Sequence, residues 1–195
     1  MNIALNAEAS DEALMRAYAQ GEVAAFDLLY ARHRAALFRY LRRLLAEPTL
    51  VEDVYQDVWM RVMHARERYV ETARFTTWLY TIAHNRVMDH HRAARLREAG
   101  RVGSVDGDED GDAIAQLPDP APLPDQLVER ERLVQRVVAA VDALPAAQRE
   151  AFVLQQEGGL SLAAIATITG VNAETAKSRL RYAYAKLRRE LGDRT

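Results

Sequence analysis

Apolar residues recur at three- and four-residue intervals along most of this 195-residue chain, and no stretch alternates apolar and polar positions over the length of a strand. The pattern predicts an all-α protein. Ser10, followed by Asp11 and Glu12, supplies a hydroxyl acceptor and two acids for the positive end of a first helix, which Gly21 ends. A longer helix is expected from Val23 to about Ala46, halted before Pro48. Thr49-Leu50-Val51-Glu52 has the form of a capping box and predicts the start of a third helix. A short loop over Tyr69 to Ala73 leads to a fourth, which begins near Arg74 and runs through Trp78 toward Arg97.

The pattern then breaks. "GSVDGDEDGD" and "LPDPAPLPD" combine glycine, like charge and alternating proline, and such a stretch buries too little apolar surface to offset its ordering entropy. Residues 98–126 are therefore read as a linker between two small helical domains, 1–97 and 127–195. Beyond it, helices are expected over 127–143 and 146–156, the second opened by Pro145 and ended by Gly158-Gly159. Ser161 caps a short helix over 162–168, "TGVN" turns, and Asn172 caps a longer basic helix. A short helix, a glycine-containing turn and a longer basic helix make the helix-turn-helix pattern.

On that last helix Ala176, Leu180, Ala183, Leu187 and Leu191 form one apolar stripe. Glu174, Ser178, Arg181, Tyr182 and Arg189 fall opposite, flanked by Lys177 and Arg179. A helix that reads the major groove needs donors near its N-terminal half and cations for phosphates, which Thr175, Lys177, Ser178, Arg179 and Arg181 supply. On the third helix Val51, Val54, Tyr55, Val58, Val62 and Met63 form the core stripe. Asp53, Gln56, Asp57 and Met60 share the other face, continued by His64; this is either a protein-docking surface or an ordinary solvated face. On the fourth, Phe75, Trp78, Leu79 and Ile82 face a core. Thr81, His84, Asn85, Met88, His91, Arg92 and Arg95 line another face, polar and then basic, suited to unstacked bases and a phosphate backbone. His90 and His91 point about 100° apart and make no metal pair; no metal or other cofactor is expected.

Charge sharpens this picture once it is divided. The net charge is −2, but residues 1–103 carry 15 arginines against 13 acids. Residues 104–125 carry seven acids and no cation, and residues 126–195 carry 11 cations against eight acids. Two mildly basic blocks joined by an acidic connector point toward nucleic acid. Hydrophobic and charged contents of 49% and 28% are ordinary for a soluble globular protein. Cysteine is absent, which excludes disulfides, thiolate zinc sites and a thiol sensor within the chain. No apolar run approaches the roughly 20 residues of a membrane span, and no signal pattern opens the chain, so a cytoplasmic location is expected. No phosphate-binding glycine loop or nucleophile–base arrangement suggests an enzyme.

"EDVYQDVW", "FTTWLYTIAHNRVMDHHR" and "LSLAAIATITGVNAETAKSRL", in this order, resemble regions 2.2, 2.3–2.4 and 4.2 of the extracytoplasmic-function sigma factors of bacterial RNA polymerase. "LMRAYAQGEVAAFDLLYARHR" resembles their region 2.1, and the likeness covers about 10–97 and 127–191. The resemblance implies a non-enzymatic subunit that binds core polymerase through its beta and beta-prime subunits, directs it to promoter DNA, and is restrained by an anti-sigma factor. It places Asp53, Gln56, Asp57 and Met60 against the polymerase clamp. It places Val70, Glu71, Thr72 and Ala73, with Asn85, Arg92 and Arg95, at the −10 element. Asn172, Glu174, Thr175, Lys177, Ser178, Arg179, Arg181 and Tyr182 fall at the −35 element, and the acidic linker would mimic nascent RNA in a basic channel. Where many members read "GTVKSRLxRAR", this chain reads "ETAKSRLRYAY": Glu174 stands for a glycine, and Tyr182 and Tyr184 for arginines. Two other classes fit less of the chain. A self-sufficient dimeric helix-turn-helix regulator would bind operators tightly without polymerase, and a sequestering helical adaptor would support no promoter-dependent transcription.

Overall fold

The structure, a computed structural model, describes residues 9–69, 71, 73–100 and 125–192. Every regular element among them is helical. Helix α1 (Asp11–Ala19) begins where the Ser10 hydroxyl accepts the Ala13 N–H at 3.2 Å, and the chain leaves it through Gly21 at φ +99°. Helix α2 (Val23–Leu44) buries Ala25, Leu29, Leu37 and Leu41 at four-residue spacing. Asp11 ties the two together, accepting from Arg32 at 2.8 Å and lying 2.8 Å from His33 Nε2.

Helix α3 (Pro48–His64) starts differently from the sequence expectation. Pro48 occupies the first turn behind Glu47, and no side chain caps the end. The fixed φ of proline suits the first helical position, so the helix begins before Thr49, and the Thr49–Glu52 box lies inside it. Val51, Val54, Val58 and Val62 are buried as expected, and Trp59 joins them, with its ring edge-on to Phe26 and Tyr30. Tyr55 and Met63 are only partly buried. A 3-10 turn at Arg66–Arg68 leads to α4 (Phe75–Gly100). Phe75 and Leu79 are fully buried, whereas Trp78 and Ile82 sit at the margin.

The C-terminal block holds α5 (Asp125–Asp142), α6 (Ala146–Gly158), α7 (Leu162–Thr169) and α8 (Ala173–Gly192). Gly159 and Gly170 take left-handed φ values of +59° and +65°, ending α6 and α7 in turns that a side chain would strain. Ser161 caps α7 through the Ala164 N–H at 3.2 Å, and Asn172 caps α8 through the Thr175 N–H at 2.7 Å. The α8 stripe of Ala176, Leu180, Ala183 and Leu187 is buried against α5, α6 and α7. Most of the expected linker, residues 101–124, lies outside the described residues, with α4 and α5 running further into its ends than the pattern suggested.

The two blocks do not stand apart. Helix α2 lies along α6, and α4 touches both α6 and α7, so that one hydrophobic cluster runs through both halves.

Candidate polymerase and nucleic-acid interfaces

The face of α3 opposite its valine stripe carries the expected docking residues. Asp53 and Gln56 are exposed, and Met60 presents 47% of its surface. Asp57 is not free in the same way. Its Oδ2 accepts from Arg61 at 2.8 Å one turn on, and it forms an ion pair with Arg86 of α4. Burial opposes its ionisation, but the Arg61 hydrogen bond and the Arg86 and Arg61 charges outweigh that and hold the carboxyl below its ordinary value. Asp57 therefore both reaches the surface and clamps α3 to α4.

A cavity of about 390 Å³ opens between these helices. Arg61, His64 and Ala65 line one side; Trp78, Ile82, Asn85, Arg86 and Asp89 line the other. An indole wall, an amide and guanidinium groups around a space of this size suit a planar base lifted from its stack. Further along α4, Arg92 and Arg95 are exposed, Arg92 lying 3.3 Å from Asp89.

The remaining −10 candidates sit elsewhere. Val70 and Thr72 lie outside the described residues; Glu71 and Ala73 line a separate cavity of about 700 Å³ at the start of α4. Its walls come from α1 (Asp11 and Glu12), from the loop and first turn of α4 (Arg74 and Thr76), and from Gly158 and Gly159 at the end of α6. The loop is anchored at several points: Glu71 pairs with Arg16, Tyr69 meets the Trp78 ring at 5.2 Å, and Glu12 accepts the Phe75 N–H at 2.8 Å. Three carboxylates and the Arg74 guanidinium line this space.

His84 departs from the sequence expectation. It does not continue the polar face of α4 but turns inward, its Nδ1 lying 2.6 Å from the buried Glu150 of α6. Thr81 returns its hydroxyl to the Thr77 carbonyl at 2.7 Å. One signal in the sequence could have exposed Glu150: it shares a stripe with Val153 and Leu154, three and four residues on, where a charge is out of place.

On α8 the polar face is open. Glu174, Lys177, Arg181 and Tyr182 are exposed, and Thr175, Ser178 and Arg179 are half-buried beside them. Asn172 is committed to its cap. The two tyrosines that depart from the family pattern have different surroundings. Tyr184 accepts from Gln156 at 2.7 Å, donates to Gln155 at 2.9 Å and sets its ring edge-on to Phe152, so it packs α8 onto α6. Tyr182 stays 54% exposed under the Arg181 guanidinium, 5.1 Å from its ring centre.

A four-helix block with an exposed acidic face and a polar cavity between α3 and α4, followed by a helix-turn-helix, is the architecture of a DNA-binding transcription initiation factor. Family models agree: sigma-70 region 2 matches residues 29–97, and sigma-70 region 4 matches residues 135–187. The ECF RNA polymerase sigma factor SigL of Mycobacterium tuberculosis is 36% identical, covering 95% of this chain and 95% of that protein. SigK of Mycolicibacterium vanbaalenii is 34% identical over 93% of this chain and 89% of that one. Among solved structures, CnrH in complex with the cytosolic domain of CnrY superposes with a TM-score of 0.62 at 26% identity, covering 97% of this chain and all of that one. RpoE from Bartonella quintana, solved in complex with the anti-sigma factor NepR, shares the fold with a TM-score of 0.65 at 24% identity, over 87% of this chain and 98% of that one. The chain belongs to the extracytoplasmic-function sigma factors. Among the described residues, no helix is long and apolar enough to cross a membrane.

Proposed function

We propose that this sigma factor engages the clamp of core RNA polymerase through Asp53, Gln56, Asp57 and Met60 of α3, takes the −10 element with α4, and reads the −35 element with α8. At −10, Asn85 and its cavity, Glu71 and Ala73 of the loop, and the Arg92 and Arg95 guanidiniums divide the work between base capture and phosphate contact. At −35, Thr175, Lys177, Ser178, Arg179, Arg181 and Tyr182 face the major groove, with Asn172 and Glu174 at the helix entry. Holding an unpaired base offsets a few kcal/mol of unstacking, so base capture favours strand opening. Polymerase supplies the effective concentration that two weak DNA contacts need.

The protein acts in the cytoplasm as a non-enzymatic specificity subunit, and an anti-sigma factor restrains it. The observation that carries this reading is the orientation of α8: its apolar stripe is spent on packing, while its basic face remains open. Run-off transcription on genomic fragments with purified core polymerase tests it. Initiation at discrete start sites is expected, and no initiation above core alone would overturn it.

A further inference from the structure

The residue that precedes α4 cannot cap it. The Arg74 carbonyl accepts the Trp78 N–H at 3.2 Å, which puts Arg74 at the N-cap position, and an arginine side chain offers no acceptor. The cap comes instead from α1: Glu12 Oε1 accepts the Phe75 N–H at 2.8 Å, from 63 positions earlier. A carboxylate there also meets the positive end of a 26-residue helix, the one that carries Asn85, Arg92 and Arg95. One turn along α1, on the same face, Arg16 pairs with Glu71. Ala73 and Arg74 therefore lie between two points at which α1 holds the chain. A third contact sits upstream, where the Arg66 guanidinium lies 5.5 Å from the Tyr18 ring centre.

Helix α1 is itself firmly seated. Leu14, Met15, Ala17 and Tyr18 are buried in the core, which leaves Glu12 and Arg16 to reach the loop. Glu12 is half-buried and lines the same cavity as Ala73, Arg74 and Thr76. Without its carboxylate, the first turn of α4 would keep an unsatisfied N–H and fray into the loop. A loop already held in its working shape loses less freedom when it takes hold of a base, so its grip is tighter.

Resting on the −10 reading above, we propose that Glu12 is a positioning residue for −10 capture: by capping α4 from α1 it fixes where the loop enters the helix, and so the shape in which the loop meets the opened strand. It acts through the loop and makes no contact with the DNA.

The test uses holoenzyme reconstituted with core polymerase and a promoter carrying 2-aminopurine in its −10 element, read well below the melting range of the protein. Glu12→Ala should lower the equilibrium constant for opening roughly fivefold, the factor expected for one lost helix cap. Glu12→Gln keeps the Oε1 acceptor and should restore opening to within about twofold, the dipole share of a partly exposed charge being small. Tyr184→Phe loosens the C-terminal block far from the loop; as the control for stability it should leave opening within about twofold of the unsubstituted chain. Binding to a −35 duplex should be unchanged in both Glu12 variants. Amide hydrogen exchange gives an independent readout: protection at Phe75 should fall roughly fivefold or more in Glu12→Ala and hold in Tyr184→Phe. Opening that is normal in Glu12→Ala, that falls equally in Tyr184→Phe, or that Glu12→Gln fails to restore would overturn the positioning role. Loss of Phe75 protection in Glu12→Ala, when even the unsubstituted chain opens no promoter, would instead overturn the −10 reading and leave the cap standing.

Discussion

Tyr182 and Tyr184, two positions apart where many relatives carry arginines, should behave in opposite ways. Tyr184→Phe removes a hydroxyl that makes two hydrogen bonds, at 2.7 and 2.9 Å, but keeps the ring 5.5 Å from Phe152. Each such bond contributes about 0.5–1.5 kcal/mol net, and the residue is 40% exposed, so the low half of that range applies. The expected loss is about 1–2 kcal/mol, or roughly 3–6 °C in thermal midpoint for a chain of this length. Tyr182→Ala removes a ring that is 54% exposed beneath the Arg181 guanidinium. Its stability cost should stay within about 0.5 kcal/mol. Its −35 affinity should fall roughly fivefold or more, the loss of about 1 kcal/mol of groove contact. Thermal melts followed by circular dichroism and fluorescence anisotropy on a −35 duplex, read well below the melting range, give both quantities. Equal destabilisation by the two substitutions would refute the assignment, as would a Tyr184→Phe protein that is fully folded yet loses as much DNA affinity as Tyr182→Ala.

Other substitutions test the cap, the docking face and the N-terminal ion pairs. Asn172→Ala leaves the Thr175 N–H without its 2.7 Å partner and should cost about 1 kcal/mol, lowering the thermal midpoint by about 2–4 °C. Asp57→Asn should weaken binding to core polymerase several-fold in a direct binding titration while leaving the binding of α8 to a −35 duplex unchanged. Asp11 is held below its ordinary value of 3.8, because its hydrogen bonds and charge contacts with His33 and Arg32 outweigh the cost of its burial. Since the folded value is the lower one, its contribution is complete above about pH 4 and is lost as the pH falls through the folded value. Denaturant melts of Asp11→Asn should therefore show a stability deficit at pH 6 that shrinks as the pH is lowered below 4.

Several elements were legible from local chemistry alone. Ser10, Ser161 and Asn172 cap the helices they were expected to cap, because an N-cap bond spans only three residues. The stripe on α8 was legible because burial on a helix follows a fixed rotation per residue. The Thr49–Glu52 pattern misled the reading of α3 only in phase, since Pro48, expected only to halt α2, itself occupies the first turn of α3.

What the sequence determined by itself is local and periodic: helices, their apolar faces, two basic blocks and the order of motifs that marks a sigma factor. What only the tertiary structure decided depends on residues brought together from far along the chain. Arg86 reaches Asp57 across 29 positions, Glu150 reaches His84 and Tyr40 across 66 and 110, and Gly158 fits beneath Tyr80. No periodicity encodes which distant helix supplies a partner. His84 therefore read as part of a DNA face although α6 lies against it, and the sequence, which marked Tyr182 and Tyr184 alike as departures from family arginines, did not reveal that Gln155 and Gln156 hold Tyr184.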